Sequence, residues 1–99
     1  MLVINRSAAN LFIEHHADSQ SSLNAFLVVA EGAGWKNIVE VRRTYPHADA
    51  VGTCTVFNIK CNNYRLIAKI DYRAQTIYIK KVLTHAEYDK EKWKKDCGG

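Results

Sequence analysis

Thr53-Cys-Thr-Val-Phe-Asn-Ile-Lys60, Tyr64-Arg-Leu-Ile-Ala-Lys-Ile-Asp-Tyr72 and Thr76-Ile-Tyr-Ile-Lys-Lys-Val-Leu83 decide the fold. Each run is rich in β-branched and aromatic residues, and only short polar segments part them, the marks of strands joined by tight turns. Asn62-Asn63 separates the first two, and asparagine tolerates the left-handed conformation that hairpin turns require. Arg73-Ala74-Gln75 separates the second from the third, so the three form an antiparallel meander. Leu66 and Ile67 are adjacent and both apolar, which breaks strict alternation and predicts a middle strand covered on both faces.

Upstream the period is helical. Leu2-Val3-Ile4 reads as a short first strand, placed at a sheet edge, and Asn5-Arg6-Ser7 offers capping residues. From Ala8 to His16 the apolar positions 8, 11 and 12 follow helical spacing. Asp18-Ser19-Gln20-Ser21-Ser22 is a polar break with several candidate N-caps. Leu23 to Glu31 then begins a more buried helix, ended by Gly32 and Gly34 and forming a helical hairpin with the first. Trp35 to Arg43 predicts a short helix stopped by Tyr45-Pro46, and His47 to Ala50 reads as loop. After the meander, Thr84-His85-Ala86-Glu87 has the pattern of a capping box, opening a last helix through Trp93. Residues 94–99 are expected to fray. Helices on a mostly antiparallel sheet make an α+β fold, and 99 residues set one domain over 1–99.

Composition narrows the function. The net charge of +4 is unevenly spread: residues 1–55 carry four Lys and Arg against five acids, residues 56–99 ten against five. A basic half interleaved with Tyr and Phe suits a polyanion, nucleic acid above all, or is a solvated lysine-rich surface. The N-terminus does not resemble a signal peptide and the apolar runs are too short to span a bilayer, so no membrane role and a cytoplasmic location are expected. Cys54, Cys61 and Cys97 lack zinc-knuckle spacing and read as three reduced thiols. His15 and His16 are adjacent, so they do not share a helix face, and read as polar helix surface. No metal motif, phosphate loop or serine-hydrolase set stands out, and no metal or cofactor is expected.

What remains is a set of cations, aromatics and one histidine around the meander. Asn58 and Lys60 lie two apart and are expected on one sheet face; Tyr64 and Arg65 open the next strand across the turn. His85 and Tyr88 sit three apart on the first turn of the last helix, and all these pieces are expected to converge on one concave face. Such a set suits RNA cleavage by the ribose 2′-oxygen, which needs a base, an acid and cations for the phosphorane. Histidine serves as either acid or base near neutrality. Arginine grips phosphate bidentately and tyrosine stacks on bases. The plain alternative is an ordinary half-exposed sheet.

The segment Val56-Phe57-Asn58-Ile59-Lys60 with Tyr64-Arg65-Leu66, followed by Thr84-His85 and Glu87-Tyr88-Asp89, closely resembles the HigB-type toxins of bacterial toxin–antitoxin operons. Tyr45-Pro46 and Ala48-Asp49 fit the same framework, and the resemblance is densest from Tyr45 to Lys90. It implies a RelE-like fold, cleavage of messenger RNA, usually on translating ribosomes, and a cognate helix-turn-helix antitoxin of the HigA kind. Carried over by residue, Arg65 matches the arginine that lies against the scissile phosphate, and Lys60 matches a basic position on the preceding strand. His85 and Tyr88 fall where a basic residue and a tyrosine stand. The expected catalytic set is therefore Arg65, His85, Tyr88 and Lys60, with Asn58, Tyr64, Arg73, Lys80 and Lys81 as RNA contacts. Cys61 stands where the resemblance leads one to expect glycine. The competing readings are a non-catalytic RNA- or ribosome-binding module and a structural subunit whose basic face meets an acidic protein.

Overall fold

The computed structural model describes residues 1–98. In chain order the elements are β1 (Leu2–Ile4), α1 (Arg6–His15), a 3-10 turn (Ala17–Ser19), α2 (Gln20–Gly32), α3 (Ile38–Thr44), β2 (Asp49–Val51), β3 (Cys54–Ile59), β4 (Tyr64–Asp71), β5 (Thr76–Thr84), α4 (His85–Asp89) and a C-terminal 3-10 helix (Lys92–Cys97). The strands form one sheet in the order β1-β5-β4-β3-β2. The meander β3-β4-β5 is antiparallel as expected, and β1 joins at an edge, parallel to β5. Asp49 and Ala50, read above as loop, instead form, together with Val51, strand β2, which pairs with β3 and makes the other edge. Three residues carry too little pattern to mark an edge strand by sequence.

Period-two alternation builds the main core. Phe57 and Ile59, Leu66 and Ala68, and Ile77 and Ile79 point to one face and meet Leu23, Phe26, Leu27 and Ala30 of α2. Phe57 is the hub of an aromatic group, with ring centroids 4.8 Å from Phe26 and 5.4 Å from Tyr45. Tyr45, part of the family-like framework, is thus a packing residue. On the other face Val56 and Ile67 meet Cys54, Trp93 and Cys97, so β4 is covered on both sides, as the adjacent Leu66 and Ile67 implied.

Four expectations about a turn, the last helix, the tail and the cysteines are corrected. In the β3–β4 turn the left-handed residues are Lys60 (φ 50) and Cys61 (φ 59), not Asn62 or Asn63. Cys61 therefore occupies the kind of position that favours glycine, where the resemblance had led one to expect it. The helix after Thr84 stops at Asp89, because Glu91 turns left-handed (φ 60) and the chain re-forms as the C-terminal 3-10 helix. That segment is docked rather than frayed up to Cys97: Trp93 and Cys97 are 2% and 0% exposed. Gly99 lies outside the described residues. Finally, Cys54 and Cys97 are disulfide-bonded, leaving Cys61 as the free and exposed thiol among the described residues. The pairing was not legible because the two cysteines are 43 residues apart and only the return of the tail across β3 brings them together. On the chain-entropy account, a link of that span removes unfolded-state freedom worth roughly 4 kcal/mol.

The tail's fit against the β2–β3 turn is close. The Thr53 amide donates to the Cys97 carbonyl at 2.9 Å. Gly52 has φ +57, and a Cβ built there would lie 1.9 Å from the Cys97 carbonyl oxygen. Gly52→Ala therefore combines a left-handed backbone with a backbone collision. It is expected to lower stability by about 2 kcal/mol or more, read as a shift of the urea midpoint. An unchanged midpoint would mean that the tail is not seated there.

Candidate functional site

The sheet divides the expected site residues between its two faces. Tyr64 turns toward the helices: its ring is 5.1 Å from Phe12 and 5.6 Å from His16, which itself stacks on Phe12 at 4.3 Å. Its hydroxyl donates to the Asp18 carboxylate at 2.7 and 2.9 Å, and Lys60 Nζ reaches the same carboxylate at 2.8 Å. Asp18, from the 3-10 turn between α1 and α2, thus ties Lys60 and Tyr64 to the helical layer. The hydrogen bonds from Lys60 and Tyr64 hold the Asp18 carboxyl below its ordinary pKa of 3.8, and the same carboxylate raises that of the Tyr64 phenol. His16, expected to be plain helix surface, is part of this rim.

Arg65 points the opposite way, as strand alternation requires, and is 7% exposed. Its Nη1 donates to the Asn62 and Tyr64 carbonyls at 2.9 and 3.1 Å, and its Nη2 to Asn62 Oδ1 at 2.5 Å. The Tyr88 ring covers the guanidinium, with Cζ 5.0 Å from the ring centroid. Of the five N–H groups of the fork, Nε–H and one on Nη2 have no partner among the described residues. No carboxylate among them pairs with Arg65 either, although buried arginines are ordinarily paired.

Asn58 is cross-strand partner to Arg65 and therefore shares its face. Leu83 is the partner on the other side, and Lys81 follows one rung along, opposite Ile67. A register shift between Ile67 and Ala68 leaves Lys80 without a partner on β4. Lys80 Nζ lies 5.1 Å from the centre of the Tyr78 ring and Lys81 Nζ lies 3.2 Å from Asp96, so both lysines reach the open face. Arg73, in the β4–β5 turn, is eight residues along the strand from Arg65, roughly 25 Å away. It is not part of the same site. Arg65, Asn58 and Tyr88 thus lie on one face of the sheet, with Lys80 and Lys81 farther along it. The expected convergence fails for Lys60 and Tyr64, which lie on the helical rim, and for Arg73.

The capping box at the start of α4 forms as the sequence predicts, with Glu87 bonded back to Thr84 and the Thr84 hydroxyl accepting from the Glu87 amide. Glu87 is thereby occupied. The acid beside His85 is instead Asp89, whose Oδ2 lies 3.0 Å from His85 Nδ1. Both side chains are about half exposed. The i, i+4 spacing was the available signal for Asp89. Asn62 carried no comparable signal, because its role depends on where the Arg65 side chain folds back. Trp93 was passed over as a helix terminus, but stacks on Tyr88 at 5.0 Å and 13° and donates its indole N–H to the Tyr88 carbonyl at 2.9 Å. Among the described residues, no group of three His, Cys, Asp or Glu side chains could hold a metal ion, and no helix is long and apolar enough to cross a membrane.

The Asp18 cluster has an acid signature. Its folded pKa is depressed, so its contribution to stability is present above the unfolded value near 3.8 and is lost as pH falls through the folded value. Asp18→Asn is expected to flatten the pH dependence of stability in that acid range and to leave it unchanged from pH 6 to 8. Urea midpoints collected from pH 2 to 8 check this, and parallel acid limbs for the two proteins would contradict it.

Comparison with known proteins bears on the whole arrangement. None of the curated proteins compared with the chain matches it. The model of the HigB_toxin family, described as the RelE-like toxic component of a toxin–antitoxin system, matches residues 19–91, a span that runs from α2 to Glu91 and holds Arg65, Tyr88 and the His85–Asp89 pair. The α+β architecture is compatible with a RelE-like fold, and the chain belongs to the HigB family of RelE-like toxins, the toxic partners of antitoxins.

Proposed function

We propose that this toxin is an endoribonuclease that cleaves messenger RNA on the ribosome, in the cytoplasm, by attack of a ribose 2′-oxygen on the adjacent phosphorus. The observation that carries the reading is Arg65: a nearly buried cation with no carboxylate partner and two N–H donors unused. Burying an unpaired charge is costly, and an incoming phosphate supplies the missing anion. Asn62 and the Tyr64 carbonyl hold the fork in place, so little reorganisation is left for the reaction itself.

The remaining roles follow from position. His85 Nε2 exchanges the proton, with Nδ1–H directed at Asp89. Tyr88 stacks on a base or bonds a phosphate oxygen, while Asn58, Lys80 and Lys81 extend the anion track along the open face. Lys60 and Tyr64 act at the rim. Their link to Asp18 is solvent-exposed, and such pairs are weak enough for a phosphate to displace. Arg73 contacts RNA, if it does so in this complex, only well away from the scissile bond. The family relation supports an antitoxin partner, and we propose a HigA-like protein with a helix-turn-helix domain. No metal or cofactor is required by this route.

Arg65→Ala is expected to reduce single-turnover cleavage at least a hundredfold, about 3 kcal/mol of barrier, with Arg65→Lys recovering only part. Circular dichroism on both variants separates this from unfolding. Cleavage by folded Arg65→Ala at the wild-type rate would remove Arg65 from the chemistry. RNA bound but never cut would leave a binding module instead.

His85→Gln is expected to slow the same step at least tenfold. The products should carry 2′,3′-cyclic phosphate and 5′-hydroxyl ends, which end-labelling and mass spectrometry identify. Products with 5′-phosphates would instead indicate attack by water.

A further inference from the structure

We infer that the Cys54–Cys97 bond positions the Arg65 site: it anchors the C-terminal 3-10 helix so that Trp93 holds Tyr88 over Arg65, making the order of this site dependent on the redox state of the two cysteines. The observations form one continuous chain. Cys97 is bonded to Cys54 of β3, and both are buried. Four residues before Cys97, Trp93 is 2% exposed and packs with Val56 and Ile67. Trp93 stacks on Tyr88 and bonds its carbonyl through the indole N–H. Tyr88 in turn covers the Arg65 guanidinium.

The disulfide is the covalent anchor of the tail, which is otherwise seated by the packing of Trp93 on Val56 and Ile67 and by the Thr53 amide bonded to the Cys97 carbonyl, while its ion pairs add little. Lys81–Asp96 is a half-exposed ion pair and Lys94–Glu91 a local one. The 3-10 helix is short and begins at a left-handed residue. Tyr88 sits on α4, which has only five residues and no fully buried one, so α4 has little packing of its own to hold that ring. Trp93 is accordingly a positioning residue, acting through Tyr88. The bond forms by exchange with a small disulfide such as oxidised glutathione. One cysteine thiolate attacks it, releasing one glutathione thiol and leaving a mixed disulfide; the second cysteine thiolate then displaces the other. The two protein thiols lose two electrons and two protons overall, and the small disulfide becomes two thiols. A phosphine or dithiol reverses it once the chain end lifts, and Gly98 beyond Cys97 is exposed.

The test uses the full chain equilibrated with glutathione disulfide or with a phosphine reductant, each state verified by alkylation and mass. The oxidised form should hold Cys54 and Cys97 in a disulfide without bound glutathione, with any glutathione mass confined to the exposed Cys61, and the reduced form should show three free thiols. Hydrogen exchange of the Trp93 indole N–H, followed by NMR, should quicken at least tenfold on reduction, and the Tyr88 ring signals should shift. Cys97→Ser should match the reduced form in either buffer, and Cys61→Ser should behave as wild type. Three thiols after oxidation, or indole protection unchanged between the two states, would overturn the inference.

The consequence for cleavage rests on the function proposed above. Reduction should slow RNA cleavage at least tenfold, and Trp93→Ala should be slow in both states while Trp93→Phe keeps most of the oxidised rate. Equal rates in both states, with the indole responding, would overturn the link to activity. If the indole responds but neither form cuts RNA, the nuclease reading fails and the positioning role stands.

Discussion

Strand β4 is buried on both faces, and the rest of the molecule is arranged to meet that requirement. Leu66 and Ala68 require a helical layer on one side, which α1, α2 and α3 supply with Phe26 and Leu23 at its centre. Ile67 requires a second cover, which Trp93 and Cys97 provide by folding back across β3 and β4, with Tyr88 and Leu83 packed beside them. Arg65 shares that second face. A residue that would stand in solvent on a one-sided sheet is here covered by Tyr88 of α4, which stacks on the same Trp93 that shields Ile67, and its charge is thereby held in a site of reduced dielectric.

The two groups of cations differ in how they are satisfied, and this orders their importance. Lys60 is paired with Asp18 in the open, where the pair is screened and readily exchanged. Arg65 is held by neutral oxygens and a ring face, which fix its geometry without cancelling its charge. A neutral cradle leaves the charge of the guanidinium uncancelled, which suits the phosphate proposed to bind there. The desolvation of that charge is offset by the hydrogen bonds Arg65 donates to Asn62 and by the Tyr88 ring, itself packed against Trp93.

The elements built on local patterns were legible. The helices of the N-terminal hairpin, the three meander strands and the Thr84–Glu87 capping box each rest on residues close in sequence. The His85–Asp89 pair, one helical turn apart, was not read from the sequence, although its i, i+4 spacing is a local signal. What was misread was either too short or too distant. The three residues of β2 have no period to detect, and Lys60 and Cys61 adopt the left-handed turn beside two asparagines better suited to it. The docked tail contradicts its own composition, since Lys94, Lys95 and the glycines signal solvent while Trp93 and Cys97 are buried.

The sequence by itself determined the N-terminal helices, the three meander strands, the basic C-terminal half and the family, because each is a property of neighbouring residues or of their order. Only the tertiary structure decided which of the candidate residues meet. Alternation along β4 sends Tyr64 and Arg65 to opposite faces, and the position of the helical layer makes one of them a rim residue and the other a buried cation. Residue spacing says that two side chains diverge; it does not say which side of the sheet will be covered by helices and which by the returning tail. That depends on contacts between residues tens of positions apart, such as Asp18 with Lys60 and Cys54 with Cys97, and such contacts exist only once the chain has closed on itself.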